Sequence, residues 1–227
     1  MFCILPQSKP HAKSSPFIAK RMILALLNQK GGCGKTVLST NLAVAFQRSG
    51  ASSRIIDSDF QGSAILWRAL SPDGYPTVVH ATTPAEIRKA VEASDDTITI
   101  IDGAAQVQKP TSEAIALATH VIVPITPAAL DMWAAEPVLA EVRERRKSTD
   151  LKVGLVINQF ERATNISKDM AEILLEVASD VPVLPTRVAK RVAYREAISQ
   201  GLSVLDFSRG REAADEILRL ANDILEL

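Results

Sequence analysis

Lys30-Gly31-Gly32-Cys33-Gly34-Lys35-Thr36, directly after the apolar run Met22-Ile23-Leu24-Ala25-Leu26-Leu27, decides how this chain is read. An apolar strand, a glycine-rich turn and then a helical pattern make the setting of a phosphate-binding loop. Glycines let backbone N–H groups converge on phosphate oxygens, because a Cβ would block the approach. The helix that follows aims its positive end at the same oxygens. Gly31, Gly32, Cys33 and Gly34 would form the cradle, and Lys35 would neutralise the terminal phosphates. The Thr36 hydroxyl would ligate Mg²⁺. The usual spacing asks for glycine six residues before Lys35, where this chain has Gln29. The loop is therefore a variant, and Lys30, a second lysine at its start, is the variation.

Working outward, two acidic sites fit the loop. Arg54-Ile55-Ile56-Asp57-Ser58-Asp59 and Thr97-Ile98-Thr99-Ile100-Ile101-Asp102-Gly103 read as short strands ending in carboxylates. In an open parallel sheet the ligand lies outside the carboxyl ends of the strands, so all three motifs should meet around one nucleotide. Aspartate there suits Mg²⁺, a hard cation held by oxygens.

The rest alternates. Helices are expected at Val37–Arg48, Ser63–Leu70, Pro84–Ala93 (capped near Thr83), Ser112–Ala118, Ala128–Lys147, Ile166–Ala178, Ala189–Ser199 and Ser208–Leu225. Further strands are expected at Val78–His80, Val121–Ile125, Val153–Ile157 and Val183–Leu184, and Gly103–Pro110 reads as a loop able to sense a terminal phosphate. Apolar strands without polar alternation predict an α/β fold: one doubly wound, mostly parallel sheet with helices on both faces. Residues 22–227 would form that domain. Residues 1–21, with Pro6, Pro10, Pro16, Ser14 and Ser15, read as a flexible, mildly basic extension. Met22 is a candidate natural start, and a basic arm touching DNA is the rival reading of what precedes it.

The chain has 227 residues, 47% of them apolar, with 26 basic and 26 acidic side chains. Zero net charge argues against a broad nucleic-acid-coating surface, though not against a local patch. Two cysteines, Cys3 and Cys33, suggest neither a disulfide nor a metal site and point to the cytoplasm. No run of 18 apolar residues predicts a membrane span. Arg187, Lys190, Arg191 and Arg195 recur at spacings of three and four, which on a helix places most of them on one face. That face is either merely solvated or a DNA contact. Arg143, Arg145, Arg146, Lys147 and Lys168 are weaker candidates of the same kind.

Lys30–Thr36, Asp57-Ser58-Asp59-Phe60-Gln61, Ile101-Asp102-Gly103, Val123–Asp131 and Asn158–Asn165 together resemble the ParA/MinD superfamily of deviant Walker A P-loop ATPases, and within it the small plasmid-partition, ParF-like ParA proteins. The resemblance runs from Met22 to the C-terminus. It implies a slow, partner-stimulated ATPase that uses ATP and Mg²⁺. Lys30 would be the signature lysine reaching across an ATP-bound homodimer, and Lys35 would bind phosphate. Asp59 would orient the attacking water, with Thr36, Asp57 and Asp102 in the Mg²⁺ network. Val37 would border the nucleotide. Asn158 would contact adenine, with Pro185 and Arg187 nearby, and Pro124–Asp131 would lie near the dimer face. The resemblance further implies non-specific binding to nucleoid DNA through Arg187, Lys190, Arg191 and Arg195, and a ParB-like cargo adaptor that triggers hydrolysis to segregate plasmid or chromosome DNA.

Alternatives keep the same cycle for a protein cargo, such as a carboxysome or chemoreceptor cluster, or make the chain a metabolic P-loop ligase or a regulatory module with little hydrolysis. Three positions depart from the family pattern: Val37 for a second Thr, Phe60 for a Pro, and Cys33 for a commoner Val, Ser or Ala. Phe60 leaves the setting of the Asp59 loop open. Glu212, Asp215, Glu216, Asp223 and Glu226 outnumber Arg211 and Arg219 at the C-terminus, so that helix would be repelled by anionic lipid, unlike the membrane-binding tail of MinD proteins.

Overall fold

The computed structural model describes residues 21–105, 109–127, 133–161 and 180–227. In chain order these contain β1 (Met22–Leu26), α1 (Lys35–Arg48), β2 (Ser53–Asp57), α2 (Ser63–Leu70), β3 (Thr77–His80), α3 (Pro84–Glu92) and β4 (Ile98–Asp102). Then follow α4 (Lys109–Leu117), β5 (His120–Ile125), α5 (Glu136–Arg146), β6 (Lys152–Phe160), β7 (Val188–Ala189), α6 (Val192–Ser199) and α7 (Arg211–Leu225). The seven strands form one sheet in the order β3-β2-β4-β1-β5-β6-β7, and every pairing is parallel. This is the α/β P-loop arrangement that the strand patterns predict.

Side chains alternate across the sheet, and both faces are covered. Leu24 and Leu26 join Ile55, Ile98 and Ile100 beneath Leu38 and Leu42 of α1 and Ile217, Leu220 and Ile224 of α7. Ala25 and Leu27 join Ile101, Val121 and Val123 beneath Ile87 of α3, Ile115 of α4 and Leu139 of α5. Burial on both sides is why these strands read as unbroken apolar runs. Each fully buried Leu or Ile stabilises the fold by about 1.5–3 kcal/mol. The C-terminal helix therefore uses Ile217, Leu220 and Ile224 to hold the domain together, as its sequence pattern suggests.

Local chemistry sets the boundaries. Thr83 caps α3 in a reciprocal capping box with Glu86, and Pro84 follows in the first turn. α1 starts at Lys35, two residues before the apolar periodicity does, because the Leu38 N–H already bonds the Gly34 carbonyl at 2.9 Å. β7 is a correction. Val183 makes only an isolated parallel bridge to Leu155, and the last strand is Val188–Ala189, which the sequence pattern would divide between a loop and a helix. The Lys190 N–H continues that ladder by bonding the Phe160 carbonyl at 3.0 Å, so the helix cannot begin before Val192. The expected helix over Ile166–Ala178 and the start of the one over Ala128–Lys147 lie outside the described residues.

Register aligns the strand ends. Asp102 of β4 stands opposite Leu26 of β1 and Asp57 of β2. The loop after β1 and both acidic strand ends therefore open on the same edge of the sheet.

Candidate nucleotide-binding site

The loop after β1 is braced from three sides. The Asn28 side chain donates to the Pro124 carbonyl at the end of β5 (2.7 Å) and accepts the Lys30 N–H (2.9 Å). From β6, Asn158 Nδ2 donates to the Cys33 carbonyl (2.7 Å) and Gln159 Nε2 to the Gly32 carbonyl (2.6 Å). Lys35 Nζ folds back to the Lys30 carbonyl at 3.1 Å. Gly32 and Gly34 take φ of 76° and 94°, where a side chain is strained. A Cβ on Gly34 would also lie 2.2 Å from Asn158 Nδ2, so glycine is demanded there twice over. Gln159 holds φ 57° without being glycine, and that outlier keeps its amide on the loop. α1 has no side-chain cap, so its first backbone N–H groups face the cradle without a side-chain acceptor. Asn28, two residues before Lys30, goes unmarked in the sequence, and Gln159 enters only as part of the Asn158–Asn165 segment.

Behind the loop lies Asp102, fully buried at 0% exposure. Its Oδ1 accepts the Ser39 hydroxyl at 3.0 Å, while Oδ2 has no hydrogen-bond partner. Burial pushes this carboxyl up to about 7; the Thr36 and Ser39 hydroxyls and Lys35 oppose the rise, and Asp57 adds to it. An unpaired buried oxygen beside a threonine hydroxyl is the donor set a hard cation would use. Among the described residues no group of three or more His, Cys, Asp or Glu side chains is arranged to hold a metal. A Mg²⁺ site with few protein oxygens, completed by phosphates and water, matches that sparse set. Ser39, one turn beyond Thr36, is a site residue that only its helical spacing could have signalled.

Asp57 is occupied differently. Oδ1 accepts the Asp59 N–H (3.2 Å), and Oδ2 accepts the N–H groups of Ala64 (2.8 Å) and Ile65 (3.2 Å) at the start of α2. Burial raises its carboxyl, and the backbone N–H donors pull it back. Asp59 Oδ1 accepts the Gln61 N–H at 2.9 Å. It borders a cavity of ≈ 560 Å³ lined by Ser58, Phe60, Thr82, Ala104, Ala105 and Pro110, with Phe60 84% exposed at the rim. Cys33 is fully buried, and that burial raises its thiol, which favours the inert reading over a reactive one.

On the other side of the loop, a cavity of ≈ 210 Å³ is lined by Gly34, Val37, Asn158, Gln159, Tyr194 and Arg195, with Lys190 and Arg191 beside them. Pro185 and Arg187 open instead into a separate cavity shared with Phe160 and α7. Hence Val37 and Asn158 share a wall with the loop, and Pro185 and Arg187 do not. The four cations, most of them expected on one helix face, are not on one helix. Arg187 lies over the Phe160 ring (5.3 Å), and Lys190 pairs with Glu161 (2.6 Å). Arg191 precedes α6 and binds Glu216 (2.7 Å) and Glu212. Arg195 alone of the four sits on α6, exposed. Arg143, Arg145 and Arg146 bond Glu136, Asp180 and the Ala116 carbonyl. Lys168 lies outside the described residues. Among the described residues no helix is long and apolar enough to cross a membrane.

A glycine cradle, a buried lysine and an unmet carboxylate at the carboxyl edge of a parallel sheet define a P-loop nucleotide-binding protein. The chain belongs to the CobQ/CobB/MinD/ParA nucleotide binding domain family, which matches residues 24–204. It is 30% identical over 213 residues to the maintenance of carboxysome distribution protein A of Halothiobacillus neapolitanus, covering 91% of this chain and 97% of that protein. It is 25% identical to the chromosome-partitioning ATPase Soj of Thermus thermophilus over 241 residues, 91% of this chain and 96% of Soj. Among solved structures, MinD of Pyrococcus horikoshii complexed with Mg-ADP superposes with a TM-score of 0.70 at 17% identity, over 90% of this chain and 96% of MinD.

Proposed function

We propose that the chain is an ATP- and Mg²⁺-dependent switch of the ParA/MinD kind, an ATPase that dimerises on ATP, binds nucleoid DNA non-specifically and releases it when a cargo-bound, ParB-like partner stimulates hydrolysis. One observation carries this reading: the Lys35 loop stands against Asp102, whose buried Oδ2 lacks a partner. Thr36 and Asp102 would hold Mg²⁺, which when bound neutralises charge on the terminal phosphates. In hydrolysis a water oxygen bonds to the γ-phosphorus, the bond from that phosphorus to the bridging oxygen breaks, ADP leaves, and the water's protons pass to phosphate and solvent. Asp59, at the mouth of its cavity, would orient the water, with Asp57 fixing the Asp59 loop. Lys30 would supply its charge to the partner's nucleotide, coupling hydrolysis to dimerisation. Arg195, with Arg187 and Lys190, would supply the DNA contacts, while Arg191 serves the fold first.

Co-sedimentation with DNA in ADP, ATP or no nucleotide tests the cycle. Binding with ATP alone supports it; equal binding in all three, or none, removes the nucleotide-gated DNA step. Segregation of plasmid or chromosome DNA, as the 25% identity to the chromosome-partitioning ATPase Soj suggests, is one outcome of the cycle. A second reading, positioning of a protein cargo, draws on the 30% identity to the carboxysome distribution protein. Deleting the gene separates them: DNA loss at division supports the first, and mislocalised protein foci with stable DNA inheritance support the second.

A further inference from the structure

The Asp59 loop leaves the sheet at Ser58, whose N–H (3.0 Å) and hydroxyl (2.7 Å) both bond the Asp102 carbonyl of β4, and beyond that point it is held by local bonds and by one side chain from β3. Asp59 N–H bonds Asp57 Oδ1 (3.2 Å), Gln61 N–H bonds Asp59 Oδ1 (2.9 Å), and Gly62 N–H bonds the Asp59 carbonyl (3.0 Å). Asp57 ends β2 and is itself held by α2, so the first of these ties Asp59 to the sheet; the other two lie within 59–62. Residue 60 is a phenylalanine, 84% exposed, so neither a fixed φ nor packing steadies the chain just after Asp59. On its carbonyl side Asp59 is also met from β3: Nε2 of His80, the last residue of that strand, lies 3.0 Å from the Asp59 carbonyl. A carbonyl oxygen only accepts, so Nε2 carries the hydrogen. His80 is itself well placed. It pairs in register with Asp57 across β2 and β3, and the next residue, Ala81, bonds the Asp57 carbonyl through its N–H at 3.0 Å. The ring is thus mounted on the sheet edge and reaches over the loop to the backbone of Asp59.

We infer that His80 is a positioning residue for hydrolysis: it holds the Asp59 backbone, and through it the carboxylate, at the distance from the γ-phosphate that an attacking water needs. The inference rests on the proposed role of Asp59. Phosphoryl transfer depends on placement, and shifts of a fraction of an ångström in a water-orienting group reduce the rate without weakening ground-state binding. His80 reaches a backbone oxygen, so its effect should appear in kcat and not in ATP affinity. The side chain is exposed, so replacing it should spare the core.

The test is steady-state phosphate release with ATP, Mg²⁺ and DNA from the whole chain and from His80→Ala, His80→Gln and Asp59→Ala, each with its melting temperature. Expected are a kcat about fivefold lower in His80→Ala, KM within about twofold and melting within about 1 °C, with most of the rate recovered in His80→Gln, whose amide can donate to the same carbonyl. His80→Ala at the parental rate, beside an inactive Asp59→Ala, overturns the role of His80 alone. Asp59→Ala at the parental rate overturns the reading of Asp59 and the role of His80 with it. Equal losses in both His80 variants, accompanied by a raised KM or lowered melting, would show a general structural role and also overturn the inference.

Discussion

Two buried carboxylates in this molecule have opposite surroundings. Glu216 on α7 is 5% exposed and nearly saturated: it accepts the Ala189 N–H (3.2 Å), Arg191 Nε (3.1 Å) and Nη2 (2.7 Å), and the Tyr194 hydroxyl (3.1 Å). Asp102 at the end of β4 is 0% exposed, accepts the Ser39 hydroxyl at Oδ1 and leaves Oδ2 without a hydrogen-bond partner, with the Thr36 hydroxyl nearby. A buried polar atom left unsatisfied costs about 1–3 kcal/mol, so a fold carries one where something else compensates. The saturated acid ties β7, α6 and α7 together. The unsaturated one faces the phosphate loop. The same contrast divides the cations: Arg191 is spent on acids, whereas Lys35 bonds only a loop carbonyl and lies 3.8 Å from the Cys33 sulfur. Completeness of partnering separates groups that build the fold from groups held for a ligand.

The strongest way to break this comparison is Glu216→Ala. It takes the buried acid from Arg191, which keeps Glu212, and one of two acceptors from Tyr194, which keeps the Ala213 carbonyl; lost hydrogen bonds to a charged group cost about 1.5–3 kcal/mol. Chemical denaturation should show that loss, while nucleotide affinity measured on the folded protein stays within about threefold. A large affinity loss at unchanged stability would reverse the assignment of roles.

Lys35→Ala should do the converse. Removing a charge that faces the phosphates should weaken nucleotide binding about 100-fold, equivalent to about 2.7 kcal/mol, by titration with a fluorescent ATP analogue. Little stability should be lost, since among the described residues Lys35 bonds the Lys30 carbonyl and the Cys33 sulfur, both within the loop. If the variant binds nucleotide normally but unfolds readily, the loop lysine is a structural brace.

Asp102→Asn probes the unsaturated acid itself. Burial raises its carboxyl from 3.8 to about 7. Between those values the folded, metal-free protein binds the proton more tightly than the unfolded chain, so its contribution to stability is present below the unfolded value and is lost as pH rises towards 7. In EDTA, denaturation midpoints should therefore fall over that window for the parent and flatten in Asp102→Asn. At pH 8 the variant should be as stable as the parent or more so by about 1 kcal/mol, because a charge no longer has to be buried. The Mg²⁺-dependent part of nucleotide affinity should drop about tenfold. A variant destabilised at every pH would place Asp102 with Glu216 among the structural acids.

The same contrast explains what can be read from the chain. The Lys30–Thr36 loop and the strand ends at Asp57 and Asp102 are legible because their chemistry is local: a glycine turn, an apolar run and an acid at its end. The alternating strands and helices are legible because burial on both faces leaves an unbroken apolar run. What stays hidden depends on residues distant in sequence. Arg191 looks like one of a row of helix cations, but the Lys190 N–H bonds the Phe160 carbonyl, the helix begins only at Val192, and the Arg191 guanidinium meets Glu216, 25 residues on. Nothing near Asn158 in the sequence shows that its amide donates to the Cys33 carbonyl 125 residues away. No spacing rule announces His80 beside Asp59; the parallel register of β2 and β3 brings them together.

The finest test concerns Arg195, the cation of the basic segment that α6 presents to solvent. If it binds a phosphate, Arg195→Ala should lower the steepness of log affinity against log salt by roughly 0.9 for each phosphate no longer neutralised, or about twice that for a dimer engaging both copies. Arg191→Ala should change that slope little, because its charge is already matched by Glu212 and Glu216, and should lower the melting temperature instead. Both variants remove the same guanidinium from the same short segment, so nonspecific charge loss predicts equal slopes for both. Equal slopes would mean that Arg191 leaves its acids to meet DNA, and that saturation in the free protein does not mark a purely structural charge.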